Sequence, residues 1–423
     1  MTHKHTKIAC YIGYVTQAIV NNLSPLLFVT FREQFGISLV KLSTLIIINF
    51  CTQITVDLAS AFFLDRLGYR KSMVAAHLLA SAGLLLTGLL PFVIDAYLGL
   101  LICSLMCAVG GGLLEVIISP IVEALPGEKK SSDMAILHSF YCWGQAGVVL
   151  LATLYFSTVG IGAWRILPAL FALIPLSNIF LFVRVPIRTL EESVSEAEKE
   201  SADRKSVNLP FFFILCILLM LCAGAVELTV AQWSSMFAEK GLRVSKSVGD
   251  LLGPCCFALL MGCGRLFYGL FGERLSLERW LALSGVLGIL SYLMIALSPS
   301  PMLSLIGCML AGVASSLLWP GTYSLGALHI RGAGTKMFAF FALAGDLGAS
   351  FGPALAGFVS DVVTESGSTP AFLSAFSLES AGLRLGFLVA AVFPVLLLLV
   401  SIFLCFYLKK RKIVTKPVSE IKK

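Results

Sequence analysis

Two glutamates stand far from any water-soluble surroundings in this chain. Glu115 lies inside the apolar run from Gly110 to Leu125, and Glu227 lies inside the run that follows Leu209. A charge at the centre of a bilayer costs at least ~2.5–3.5 kcal/mol on insertion scales, so an acid kept there reads as functional. A carboxyl taken out of water holds its proton more tightly. Such a group can load a proton on one side of a membrane and release it on the other. A residue facing a polar cavity should share its helical face with small or polar neighbours at i+3, i+4 and i+7. Glu115 passes that test with Ala108, Gly111, Gly112 and Ser119, and Glu227 passes it with Ala223, Gly224, Ala231 and Ser234.

The same test marks other candidates for substrate binding or proton coupling. Tyr14, Gln17, Ala18, Asn21 and Ser24 line up, with Asn22 beside them; so do Asn49, Gln53, Asp57 and Ser60. His138, Tyr141, Cys142 and Gln145 form a further stripe, and Ser315, Ser316, Trp319 and Tyr323 another. The competing use of such stripes is the helix seam, where small residues let spans approach and polar ones bond across. A seam needs Gly, Ala and Ser but not a carboxylate, which separates Glu115 and Glu227 from their neighbours. Asp57 is expected to support the loop that follows it, Asp346 (among glycines) to serve gating or packing, and Arg265 to snorkel to the interface. The aromatic rings of Trp143, Trp233, Trp319 and Tyr141 can stack on a flat cargo or simply pack.

The elements that must position these groups are membrane spans. Of 423 residues, 58% are hydrophobic and 13% charged, against about 25% charged in a soluble domain. Windows of about 20 apolar residues predict twelve transmembrane helices, at 8–30, 40–63, 72–94, 97–124, 134–160, 164–184, 210–238, 247–270, 280–298, 302–328, 337–362 and 383–408. The first run is expected to continue past Pro25, with His3 and His5 in a solvated terminus. A polar stretch divides the spans six plus six: an N-terminal half at 1–185, a central loop at 186–209, a C-terminal half at 210–408 and a basic tail at 409–423. Lys and Arg concentrate on the side of both termini (Lys4, Lys7, Arg66, Arg70, Lys71, Lys129, Lys130, Arg184, Arg188 and the tail among them), with few, such as Arg32, Lys41 and Arg165, on the other. The positive-inside rule then makes both termini cytoplasmic, in an inner or plasma membrane. The net charge of +7 is thus topology and not nucleic-acid affinity. A faint repeat relates the halves: Gly112 and Pro120 answer Gly312 and Pro320, and Gly68 and Arg70 answer Gly272 and Arg274. Paired halves of this kind carry their substrate site near the midplane and work by alternating access.

The loop Asp65-Arg66-Leu67-Gly68-Tyr69-Arg70-Lys71 resembles the signature loop of the major facilitator superfamily. That resemblance implies an all-α fold of twelve transmembrane helices in two pseudo-symmetric halves. It also gives Asp65, Arg66, Gly68, Arg70 and Lys71 a gating role. A narrower resemblance, to the fucose permease and related proton–sugar symporters, rests on Asn21-Asn22-Leu23, on Gly112 through Glu115 to Pro120, and on Leu137-His138-Ser139-Phe140. It implies that Glu115 serves proton coupling and sugar binding. The first-span aspartate of that family falls on Pro25 here.

The expectation is a secondary active transporter of a small polar solute, a sugar being the case the resemblance implies, driven by proton symport. The alternatives are a proton-antiport exporter of drugs or metabolites on the same fold, and a non-transporting membrane receptor. Scattered cysteines without paired spacing predict neither a disulfide framework nor a metal site, and Cys103 and Cys107 read as packing thiols. No phosphate-cradling loop or nucleophile constellation is present, so no enzyme and no cofactor is expected. The partners are the solute, protons and the lipid bilayer, with no nucleic acid, and a monomer suffices.

Overall fold

The computed structural model describes residues 1–37, 39–127, 129–190, 209–245, 248–249, 251–272, 276–330 and 334–410, apart from the side chains of Val29, Leu39, Val40, Ser43 and Asp65. Most of the expected central loop and basic tail, and the Glu273–Arg274 counterpart of the signature loop, lie outside the described residues. Those described are helices joined by short turns, with no strand among them, as hydrocarbon demands: a helix satisfies every backbone group within its own segment. The helices are α1 (His3–Leu26), α2 (Phe28–Phe35), α3 (Leu39–Leu67), α4 (Tyr69–Thr87), α5 (Ala96–Ala124), α6 (Lys130–Thr158) and α7 (Ile166–Arg184). They continue with α8 (Leu209–Met236), α9 (Cys256–Phe271), α10 (Leu277–Leu297), α11 (Pro301–Ser315), α12 (Leu318–His329), α13 (Thr335–Ser366), α14 (Leu378–Ala390) and α15 (Val392–Lys410).

Among the described residues, eleven helical segments are long and apolar enough to cross a membrane. The first, α1, has the length at 24 residues, but Gln17, Asn21 and Asn22 keep it off that count. With α1, the arrangement follows the twelve expected spans. Three details differ from expectation. Helix α1 starts at His3, ahead of the span expected from residue 8, with Thr2 forming a capping box with His5; His5 stays exposed, as a solvated terminus requires. It runs one residue past Pro25, to Leu26, and after a break at Leu27 the chain continues as α2; proline offers no N–H and its ring crowds the preceding turn, which places the break there. The spans expected at 302–328 and 383–408 are each two pieces, α11 and α12 parted at Ser316 and Leu317, and α14 and α15 at Ala391.

The chain forms two compact units. The first holds Met1–Gly127, Phe140–Ser201 and Gly332–Leu343. Its core joins Ile19, Leu23, Leu84, Val148 and Phe171 across α1, α4, α6 and α7. A second cluster gathers Leu27, Phe31, Leu45 and Leu100 around the buried Trp164. The second unit holds Glu128–Ser139, Ala202–Arg331 and Ala344–Lys423. There α8 and α13 touch backbone to backbone: a Cβ on Gly224 would strike the Gly345 carbonyl, and one on Gly348 the Leu221 carbonyl. Large apolar side chains stand exposed on the outer faces of both units, Phe62 and Phe180 on the first and Phe358 and Phe406 on the second. Lipid, not water, suits those faces.

Arginines close two helix ends. Arg70 donates to the carbonyls of Phe182 (2.7 Å), Val183 (2.7 Å) and Val185 (2.8 Å) at the end of α7. In the second unit the buried Arg384 donates to Ile295 (3.1 Å), Ala296 (3.2 Å) and Ser298 (2.8 Å) at the end of α10, its guanidinium 3.9 Å from the Phe376 ring centroid. A helix C-terminus has four carbonyls without intrahelical donors and a partial negative charge, so a guanidinium fits there.

Candidate functional site

In the first unit, α1 and α5 run side by side and present their polar stripes to each other. Tyr14 Oη and Ser119 Oγ are 3.0 Å apart. One turn along, Gln17 Nε2 donates to Glu115 Oε2 at 2.6 Å. A further turn along, Gln53 of α3 donates to Asn21 Oδ1 at 2.8 Å, and Gly111 lies beside this pair, where a Cβ would crowd the Val20 side chain at 3.2 Å. The spacing of 14, 17 and 21 on α1 against 119, 115 and 111 on α5 is a helix-period ladder of polar rungs. Glu115 is 8% exposed and Gln17 3%, so the hydrogen bond to this carboxyl is made away from solvent, where it is stronger.

The other expected residues of this unit fall around the ladder. Asn22 turns back on its own helix and donates to the Ala18 carbonyl at 2.9 Å; it is not held by α5. Asp57 is fully buried on α3, one turn beyond Gln53. Tyr141 and Gln145 are half-buried on α6, next to Phe140, whose ring stacks on Tyr11 with centroids 4.3 Å apart. In the signature loop, Gly68 adopts φ +83°, a conformation that favours glycine. Arg66 and Lys71 are exposed, Arg70 caps α7 as described, and the Asp65 side chain lies outside the described residues. Tyr69 Oη, buried, is 2.6 Å from Thr335 Oγ1 at the start of α13.

In the second unit the centre is Arg265, which the sequence reading misplaced. It does not snorkel: it is 2% exposed and its guanidinium is fully engaged. Nε donates to the Ser316 carbonyl at 3.0 Å, Nη1 to the His138 carbonyl at 2.9 Å, and Nη2 to Glu227 Oε2 at 3.3 Å. The first of these bonds explains itself. Pro320 has no N–H for the carbonyl four residues before it, so Ser316 is left without its helical donor at the break between α11 and α12, and Arg265 supplies one. Through its backbone bond Arg265 also brings His138 to the Glu227 site. The His138 ring lies 5.7 Å from that of Tyr323, which lies 6.5 Å from that of Trp319. The six-membered edge of Trp319 rests on Gly345, and Asp346 follows, 5% exposed, with Oδ2 lacking a hydrogen-bond partner among the described residues. Trp233 does not stack on open space; its Nε1 donates to the Pro353 carbonyl at 3.0 Å, within a seam. Arg265 was findable: Ala258, Gly262 and Arg265 repeat the small-residue stripe that marked the two glutamates.

Chemically, one carboxyl is held by a neutral amide and the other by a guanidinium. Both can exchange a proton, and in the second unit doing so would loosen the grip of Arg265. Solved structures with this architecture include FucP, the E. coli fucose:proton symporter, in the outward conformation (15% identity, 94% of this chain and 98% of that one, TM-score 0.73). They also include the proton:xylose symporter XylE bound to 6-bromo-6-deoxy-D-glucose (13%, 92% and 94%, TM-score 0.69) and the human organic anion transporter MFSD10 (15%, 92% and 99%, TM-score 0.65). At such identities they establish the fold alone. The model of the Major Facilitator Superfamily matches residues 10–353, and the chain belongs to that superfamily of membrane transporters.

Proposed function

We propose that this protein is a proton-coupled symporter that moves a small polar solute, of the sugar class, across a cytoplasmic membrane, with both termini on the cytoplasmic side and one chain as the working unit. The observation that carries the reading is Glu115, a carboxyl kept in the interior of a membrane protein at 2.6 Å from a neutral amide donor. A merely structural seam has no use for an acid there. Within the first unit, Gln17, Asn21 and Gln53 are the amide groups for binding a solute; within the second, Trp319 and Tyr323 supply ring faces and Glu227 with Arg265 forms a charged switch beside His138. The sugar class is supported by the FucP and XylE architectures and by the amide-rich ladder. The signature loop, with Gly68 turning the chain and Arg70 fixing α7, serves gating on the cytoplasmic side of the first unit, where Asp57 adds a buried carboxyl; Asp346 is a buried carboxyl for gating within the second unit.

The test is uptake into proteoliposomes under an imposed pH gradient, screened over sugars and polyols. Glu115→Gln is expected to abolish gradient-driven accumulation while leaving exchange at equal pH. If both Glu115→Gln and Glu227→Gln accumulate the identified solute as the unaltered protein does, the coupling assignment fails.

One observation favours a second reading. Arg265 is a buried cation paired with Glu227, a carboxylate that a proton can neutralise, and a cargo with its own carboxylate would then replace Glu227. The organic anion transporter architecture of MFSD10 is compatible with this. Uptake of monocarboxylates that disappears in Arg265→Gln and survives in Glu115→Gln would select it.

A further inference from the structure

Where α1, α2, α3, α4 and α5 converge at the far end of the polar ladder, the first unit forms a partly open cavity of about 60 Å³. That is room for roughly four to six waters. Its polar wall is Asn21, Ser24, Asn49, Thr87 and Ser104, and none of its lining residues is charged. Phe28, Phe31 and Phe50 form the apolar side. Two features fix what the wall presents. Asn21 Oδ1 already accepts from Gln53, so its amide N–H groups are the part left to bind. Pro25 has no N–H for the Asn21 backbone carbonyl, which leaves an acceptor on the same turn.

Neutral donors and acceptors side by side, facing a hydrocarbon wall, match a molecule whose every polar group both donates and accepts. A carboxylate or an ammonium would lose its hydration here and meet no counter-charge. We propose that this cavity is a binding site for a neutral polyhydroxylated molecule, a polyol of three to five carbons or the hydroxylated edge of a larger sugar. The site is separate from Glu115 but joined to it: the Asn21–Gln53 rung is one turn of α1, about 5.4 Å, from the Gln17–Glu115 rung. It is thus an antechamber whose occupant bears on the amide that leads to the coupling carboxyl. Only this effect on uptake rests on the symport reading; the binding does not.

Cys103 and Cys107 line the cavity and report on it. The purified full-length protein, in detergent without glycerol, is alkylated with N-ethylmaleimide and the rate at each cysteine is followed by mass spectrometry with added erythritol, xylitol or glycerol. Polyols also stabilise proteins by exclusion from their surface, so Cys308, buried in the second unit, serves as the control. Saturable protection of Cys103 and Cys107, with Cys308 unchanged, is expected. Asn49→Leu and Ser104→Val should each weaken it roughly tenfold, as the loss of one or two neutral hydrogen bonds predicts, without shifting the melting temperature in the absence of polyol. Equal slowing at all three cysteines, protection that survives both substitutions, or stronger protection by succinate than by erythritol would overturn the site. Protection without any pH-driven uptake would leave the site standing and remove the symport reading.

Discussion

Glu115 and Glu227 are alike in sequence setting and differ in what the fold gives them. Each is an acid in an apolar helix with glycine and alanine on its face. In the first unit the carboxyl meets Gln17, a neutral donor at 2.6 Å, and sits in a ladder of uncharged groups. In the second it meets Arg265 at 3.3 Å, and that guanidinium simultaneously holds two backbone carbonyls. An amide tolerates either protonation state of its partner, because it can donate to a carboxylate and accept from a carboxylic acid. A buried guanidinium does not: its charge needs the carboxylate. The first site is therefore suited to carrying a proton through closed states, and the second to changing its contacts when a proton arrives.

Removal of the cation should break this comparison most severely. Arg265→Met leaves Glu227 buried without its counter-charge and Ser316 without a donor; losing one member of a buried pair costs about 3–5 kcal/mol. The detergent-solubilised protein should melt well below the unaltered one. Arg265→Met with Glu227→Leu should recover part of that loss, because an apolar pair replaces the stranded acid. No recovery in the double variant would mean that the Ser316 and His138 carbonyls, and not the ion pair, need Arg265.

Next in size is the amide side. Gln17→Leu removes a hydrogen bond to a charged group, worth about 1.5–3 kcal/mol, and should reduce gradient-driven uptake by about tenfold or more while changing the melting temperature less than Arg265→Met does. Gln17→Glu, which sets two acids 2.6 Å apart, should make uptake more dependent on low pH than Gln17→Leu does, since one of the two must stay protonated. Equal pH profiles for these two variants would sever Gln17 from the coupling. A smaller effect is expected at Arg70: Arg70→Ala frees three carbonyls at the end of α7, at about 1 kcal/mol, with hydrogen exchange faster at the end of α7 and unchanged at α10, which Arg384 caps. The narrowest in reach is Gly68→Ala: at φ +83° and ψ 143° a Cβ is strained by about 1–3 kcal/mol, readable as a lowered melting temperature with the Arg70 contacts intact.

Much of this was legible from residue types. The spans, the ladder residues Gln17, Asn21, Gln53 and Glu115, and the isolation of Glu227 all follow from hydropathy and a helical period, which are local properties. Arg265 was not placed correctly, because a window scan locates a residue along a span but says nothing of what faces it. Its depth is set by Glu227, by the His138 carbonyl and by an orphaned carbonyl created by Pro320. In the sequence Pro320 shows only as half of a repeat; its consequence four residues upstream depends on which neighbour can reach that carbonyl. Asn22 is the converse case: equal in type to Asn21 and adjacent to it, it bonds its own helix because it points 100° away around α1.

The glycine contacts between α8 and α13 carry a mechanical consequence. With Gly224 against Gly345 and Gly348 against Leu221, no side chain lies between the two backbones to roll, compress or change rotamer. A joint of this kind has little slack in it. Helices α8 and α13 must tilt together as a single strut, so torque applied at Glu227 on one is delivered directly to Asp346 on the other.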